Sequence, residues 1–190
     1  SWSDRLRAEL WATLDRPDLA TTMFDSHLCV AECLLYGPTP YDDVIALAAR
    51  LRDEARRSGA LRAQAFATAV LGEAALLAGR LDDAAVELTE AVDLHREIGA
   101  TAGEAHSMQR LAEVRLAEGD AAEAQRLLRQ ALPKARWSAI AMHLIQRIHG
   151  TAIRAAPDVA AARSAVGRGD RSGGARDRCP VCGVRSAGAA

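Results

Sequence analysis

The chain has 190 residues, of which 49% are hydrophobic and 4% aromatic, and its formal net charge is −1. This near-neutral balance lacks the basic footprint that phosphate binding demands, and four cysteines do not suggest a secreted disulfide scaffold. Because no apolar run reaches membrane-spanning length and no signal-peptide pattern opens the chain, we expect a cytoplasmic protein without membrane or direct nucleic acid contacts.

The apolar residues are mainly alanine and leucine, which favour helices, and glycines and prolines divide the chain into helical segments. A short amphipathic helix is predicted within residues 1–17 as an N-terminal cap. A second helix is predicted over residues 18–36, and Gly37-Pro38-Thr39-Pro40 ends it. Apolar residues at helical spacing predict further helices over residues 41–58, 62–78, 82–97, 102–118, 121–132 and 138–155.

The C-terminal part carries three further signals. Asp120 is a predicted N-cap, and Pro133 is predicted to kink or restart the helix in which it lies. Pro157-Asp158 opens a last helix, whose apolar pattern ends after Val166. From there glycine, arginine, serine and alanine prevail, so residues 167–190 are predicted to form a disordered tail.

The sequence repeats itself at a spacing of 40 residues. Tyr41-Asp42-Asp43 aligns with Leu81-Asp82-Asp83, and Ser58-Gly59-Ala60 aligns with Ile98-Gly99-Ala100. A fixed period of this size is typical of stacked supersecondary units, none of which buries its apolar face alone. The repeat therefore predicts an all-α fold, a right-handed α-solenoid of antiparallel helical hairpins over residues 18–166, with about 40 residues per unit.

The spacing within each unit resembles a tetratricopeptide repeat. The matching positions are Leu71, Gly72, Ala75, Gly79, Leu81, Ala84, Leu88 and Ala91 in one copy, and Leu111, Ala112, Gly119, Ala121, Ala124, Leu128 and Ala131 in the next. Small residues at 84 and 124 suit a helix crossing, and the glycines allow tight turns. The family's tryptophan is replaced by Thr68, which fills less volume and adds a hydroxyl that needs a partner.

Residues 81–132 further resemble the helical sensor region of LuxR-type or antibiotic-regulatory-type transcriptional regulators of high-GC bacteria. Those regulators join such helical arrays to a nucleotide-switch ATPase and a DNA-binding helix-turn-helix. This chain has no GxxxxGK[ST] phosphate loop and no separate basic helix-turn-helix unit. The resemblance therefore implies a sensor or scaffold part alone, a non-catalytic interaction module and not an enzyme.

In a tetratricopeptide stack, the first helices of successive hairpins line a concave groove. The resemblance implies three groove-facing rows, with Arg110 beside the second: Cys33, Glu73 and Glu113; Cys29, Ala69 and Gln109; Ser26, Phe66 and His106. We expect a protein or peptide partner to lie across these rows, and the two glutamates to attract a cationic patch. The alternative is an ordinary solvated inner face. The Lys/Asn/Arg clamp of chaperone-tail binders is missing, so that partner class is disfavoured.

Two rival functions stay open. Cys179-Pro180-Val181-Cys182 has the turn chemistry of half a zinc knuckle, which Cys29 and Cys33 could complete, so the chain could be a small zinc- or redox-linked protein. A free thiol pair is the plain alternative, and no other metal or cofactor is expected. The second rival is a self-associating fragment, because the terminal hairpin would expose apolar surface where the pattern ends.

Overall fold

The computed structural model describes residues 34–136 and 141–173, and these contain helices and turns but no strand. The helices are α1 Tyr41–Ser58, α2 Leu61–Leu77, α3 Leu81–Glu97, α4 Thr101–Ala117, α5 Ala121–Ala135, α6 Ala141–Arg154 and α7 Val159–Gly173. Consecutive helices pack against each other as hairpins, and α2 also contacts α4, which in turn contacts α6. The predicted all-α class is confirmed for this part of the chain.

Apolar spacing and glycine positions predicted α1 to α4 to within one residue, whereas the C-terminal predictions need correction. The helix α5 runs through Pro133 to Ala135, three residues beyond its predicted end at 132. Only the final turn of α5 contains the proline, so a single missing backbone donor there is tolerated. The last helix continues to Gly173, beyond the predicted boundary at 166. The predicted N-terminal cap, residues 18–33 and the tail beyond 173 lie outside the described residues.

The turns recur every 20 residues. Gly59, Gly79, Gly99 and Gly119 all have positive φ, between 68° and 87°, a conformation that glycine adopts without strain. After two of them, the backbone N–H groups of Ala60 and Ala100 donate to carbonyls five residues earlier, both at 2.8 Å, closing a Schellman motif. Ala60 and Ala100 also share φ −82° and ψ 75°. The same short turn therefore joins successive helices and fixes each hairpin.

Side-chain capping starts two of the later helices. Asp120 Oδ1 accepts a hydrogen bond of 2.9 Å from the Glu123 backbone N–H, which confirms the predicted N-cap of α5. Asp158 caps α7 in the same way, accepting from the Ala161 N–H at 2.7 Å. These carboxylates satisfy backbone donors that a helix start leaves without partners.

The core lies between the hairpins and consists largely of alanine and leucine. Ala84 and Ala124 are fully buried, as expected for small residues at a helix crossing. Leu88, also fully buried, lies on α3 against α2, where Gly72 leaves room for it. A Cβ on Gly72 would lie 2.5 Å from Leu88 Cγ and 3.0 Å from the Leu88 backbone nitrogen. The approach of α2 to α3 therefore depends on a glycine at 72.

Gly72→Ala is expected to destabilise the fold. Overpacking a close contact costs about 1–3 kcal/mol, whereas the gain in helix propensity is at most about 1 kcal/mol. Gly150→Ala is the matched control, because a Cβ at this exposed position of α6 meets nothing within 4 Å. Thermal unfolding followed by circular dichroism should show a lower Tm for the first variant and an equal or higher Tm for the second. Equal Tm shifts in the same direction would contradict the close packing at Gly72.

Candidate functional site

The structure brings the described members of the predicted groove rows together on the adjoining helices α2 and α4. Of these, Glu73, His106, Gln109, Arg110 and Ala69 are buried, whereas Phe66 and Glu113 are half-buried. Most of these side chains are therefore closed off from solvent. The physical reason is that the polar members bond to one another across the helices. The remaining members, Ser26, Cys29 and Cys33, lie outside the described residues.

Glu73 on α2 is the centre of this arrangement. Its Oε1 accepts a hydrogen bond of 2.5 Å from His106 Nε2, and its Oε2 accepts one of 2.9 Å from Arg110 Nε. Burial raises the pKa of Glu73, but the electrostatic attraction and hydrogen bond of His106 and the charge of Arg110 outweigh that effect and lower the pKa to about 2. Glu73 is therefore a buried carboxylate whose charge is balanced from α4.

Arg110 uses all three of its guanidinium nitrogens within the protein. Besides Glu73, it bonds Glu113 Oε2 through Nη1 at 2.7 Å and the Tyr36 hydroxyl through Nη2 at 2.5 Å. Its Cζ also lies 5.9 Å from the Tyr36 ring centroid, within cation–π range. Burial lowers the pKa of Arg110, but the carboxylates of Glu73 and Glu113 raise it overall. The guanidinium is thus a permanent cation that holds two carboxylates and one tyrosine together.

The network continues onto α6. Glu113 Oε1 accepts hydrogen bonds from Arg154 Nη2 at 3.0 Å and Thr151 Oγ1 at 3.2 Å. Gln109 Nε2 donates to Thr151 Oγ1 at 2.8 Å. One connected set of side chains therefore joins α2, α4 and α6. We call it the polar ladder, made up of Tyr36, Glu73, His106, Gln109, Arg110, Glu113, Thr151 and Arg154.

Tyr36, Thr151 and Arg154 were not among the predicted site residues. The repeat indicates a partial fourth copy near Gly150, so the spacing pointed to this region of α6. The positions 40 residues after Gln109, Arg110 and Glu113 are occupied by His149, Gly150 and Ile153. The repeat therefore does not identify Thr151 and Arg154, which form the hydrogen bonds. Tyr36 is the last residue of the helix predicted over 18–36, and no pattern in the sequence links it to Arg110, 74 residues away.

The charges of the ladder are balanced internally. The sequence suggested that Glu73 and Glu113 would attract a cationic partner, but His106, Arg110 and Arg154 already face these carboxylates. That electrostatic prediction is therefore not supported. The most exposed members of the ladder are Tyr36, 56% exposed, and Arg154, whose side chain is 60% exposed. We call these two residues the rim.

Two buried polar atoms near the ladder lack partners. Among the described residues, neither Thr68 Oγ1 on α2 nor Gln109 Oε1 on α4 has a hydrogen-bond partner. The sequence predicted that the Thr68 hydroxyl would need a partner, on its resemblance to a repeat with tryptophan at that position. Each unpaired atom costs about 1–3 kcal/mol of desolvation, so the packing of this layer is not optimal.

A second cluster, made of ion pairs, connects α4 to the neighbouring helices α3 and α5 and has a structural role. Glu104, buried on α4, accepts from Arg96 Nε of α3 at 3.0 Å and from Lys134 Nζ of α5 at 2.9 Å. Since both of its oxygens have cationic partners on neighbouring helices, this carboxylate fastens α3, α4 and α5 together. Its position near the start of α4 also suits the helix dipole.

Comparison with protein-family models finds no match, and comparisons with curated proteins and with solved structures also find none. The resemblance to tetratricopeptide-containing regulators is therefore a prediction from the residues alone. Within residues 34–136 and 141–173, no group of three or more His, Cys, Asp or Glu side chains is placed to hold a metal ion. Cys179 and Cys182 of the predicted zinc motif lie outside those ranges. None of the described helices has the length and apolarity needed to cross a bilayer.

Proposed function

We propose that this chain is a non-catalytic protein-interaction module, a tetratricopeptide-like right-handed solenoid whose face along α2, α4 and α6 binds a protein or peptide. The observation that carries the proposal is the polar ladder, which joins helices of three successive hairpins through hydrogen bonds of 2.5–3.2 Å. A surface that spans several rigid units is the usual binding surface of stacked helical repeats.

The solenoid is supported by repetition in both sequence and backbone. The helices α2 and α4 begin 40 residues apart and have 17 residues each. Their preceding turns, at Gly59 and Gly99, have φ of 68° and 69°. Units with the same turn and the same helix length stack with a constant rotation, which produces a superhelix with a concave face.

The rim is the proposed contact point. Tyrosine and arginine are enriched among residues that dominate binding energy at interfaces. Arg110 fixes the Tyr36 hydroxyl, and Glu113 fixes Arg154, so both side chains are held before a partner arrives. Such preorganisation lowers the entropy cost of binding. On the sequence resemblance alone, we propose that the module is the sensor or scaffold part of a cytoplasmic bacterial transcriptional regulator.

The proposal is tested with the full chain as bait for a partner from a high-GC bacterial lysate, followed by calorimetry with the purified partner. Tyr36→Ala and Arg154→Glu are each expected to weaken binding about tenfold or more, which corresponds to about 1.4 kcal/mol. Arg129→Glu, at an exposed position on α5, is the matched control and is expected to change the affinity less than about twofold. A partner that binds both rim variants as tightly as the wild type would contradict the proposed surface.

A further inference from the structure

Positive and negative charge are divided between the two ends of the sequence. Residues 134–190 contain 10 of the 24 Arg and Lys residues but 3 of the 25 Asp and Glu residues. Residues 1–133 therefore hold 14 basic and 22 acidic residues, a net charge of −8 against +7 for the C-terminal part. A molecule with a total charge near zero thus has two oppositely charged regions, which favours contacts between unlike ends of different copies.

The helix α7 presents an exposed strip of mixed apolar and basic character. Val159 and Val166 are 66% and 43% exposed, and the exposed Arg163 lies between them on the same side, at a helical spacing of four and seven residues. Among the described helices, α7 contacts α6 alone. We call Val159, Arg163 and Val166 the α7 strip, and nothing in the described part of the chain covers it.

The helix α3 lines an open groove that offers apolar surface and the exposed acidic side chain of Glu97. This groove has a volume of about 600 Å³, and Arg115 of α4 contributes to its wall. Its acidic side chains are Glu90, Asp93 and Glu97, and Val86 and Leu94 supply apolar surface. Arg56 and Arg96 bond Glu90 and Asp93 at 2.8 and 2.7 Å, and Arg115 bonds Glu118 at 2.6 Å. We call this surface the α3 groove.

We infer that the chain associates head to tail, with the α7 strip of one copy seated in the α3 groove of a second copy. One valine of the strip meets Leu94, and Arg163 faces Glu97 at the exposed end of α3, so an apolar contact and a charged contact form side by side. Laying one face of a helix into an apolar groove is a common recognition mode. Within one chain α3 and α7 make no contact, so both surfaces are available to neighbours.

Because the two surfaces differ, the contact is heterologous. A bound pair still has one free groove, on the copy that gave its strip, and one free strip, on the copy that gave its groove. Such contacts extend into open chains or close into rings, rather than stopping at a symmetric dimer. A single helix in a groove buries little area, so the association is expected to be weak and to depend on concentration. Its charged component is screened by salt, so the association should decline as ionic strength rises.

Sedimentation velocity of the full chain over a range of concentrations tests this inference. The weight-average sedimentation coefficient should rise with concentration at low salt and rise much less at about 0.5 M salt, where the Debye length is only about 4 Å. Arg163→Glu and Glu97→Arg should each remain monomeric, because each places like charges at the contact. An equimolar mixture of the two variants should associate again, since the reversed charges are complementary. Arg129→Glu on α5 is the matched surface control and should behave as the wild type.

Three results would overturn the inference. The first is a wild-type chain that stays monomeric at low salt over the whole concentration range. The second is association that persists in both single variants, or a mixture of the variants that stays monomeric. The third is that Arg163→Glu leaves sedimentation unchanged but abolishes binding to a DNA duplex, which would make the basic end a polyanion site.

Discussion

Arg110→Met is expected to lower the free energy of unfolding by about 3–5 kcal/mol, the cost of leaving a buried charge without its partner. The substitution keeps most of the side-chain volume but removes the bonds to Glu73, Glu113 and Tyr36. The Glu73 carboxylate is buried, so water cannot replace the lost guanidinium. Urea unfolding followed by circular dichroism measures the change.

A surface arginine provides the matched control. Arg126 forms an ion pair with Glu123 on the exposed side of α5, with bonds of 2.6 and 2.5 Å. Because exposed pairs contribute little, Arg126→Met should cost at most about 1 kcal/mol. Adding Glu73→Gln to Arg110→Met should recover part of the lost stability, since the buried group is then neutral. A loss no larger in Arg110→Met than in Arg126→Met would rule out a buried, charge-coupled ladder.

Acidification is expected to lower the free energy of unfolding by up to about 3 kcal/mol between pH 6.5 and pH 4, through His95. Burial of His95 on α3 lowers its pKa from 6.5 to about 4, although the hydrogen bond from Nδ1 to the Ala91 carbonyl opposes the shift. The unfolded chain binds the proton near pH 6.5 and the folded chain only near pH 4. Stability is therefore complete above pH 6.5 and falls as the pH falls through this window.

The measurement is the free energy of unfolding at closely spaced pH values, for the wild type and for His95→Gln. The variant should lose most of the slope between pH 6.5 and pH 4, whatever its absolute stability. A smaller slope should remain, because burial and the nearby Arg168 and Arg136 also lower the pKa of His149. Below pH 4.5 both proteins should lose further stability, since folded Glu73 keeps its charge down to about pH 2. An unchanged slope in His95→Gln would show that His95 is not buried in its neutral form.

The helices and their turns could be predicted because they depend on local rules. Apolar residues at helical spacing define α1 to α4, and glycine is the residue that the left-handed turn conformation favours. The end of α5 was predicted three residues too early, because the cost of a proline depends on its distance from the helix end, and the pattern did not locate that end. The helix α7 continues to Gly173 although its apolar pattern stops after Val166, so the pattern alone could not predict where this helix ends.

The sequence predicted which residues of α2 and α4 form the site, but not that their side chains are buried and bonded to one another. A period of 40 residues pairs Glu73 with Glu113, which suggests an exposed acidic row. In the structure Glu73 bonds residues 33 and 37 positions ahead, so the turns of α2 and α4 interleave instead of lying in register. That offset depends on the rotation of each helix about its axis. Helix rotation is fixed by packing across the whole layer, and single-sequence spacing carries no information on it.

Nuclear Overhauser contacts between side chains of successive layers test the stacking of α2, α4 and α6 most directly. With both spin systems assigned, the Gln109 side-chain amide should show a cross-peak to Thr151, and the His106 ring should show one to the Glu73 side chain, because their heteroatoms lie 2.8 and 2.5 Å apart. Finding both cross-peaks would place the three helices side by side. Their absence in a folded, fully assigned protein would contradict the polar ladder and the interaction surface built on it.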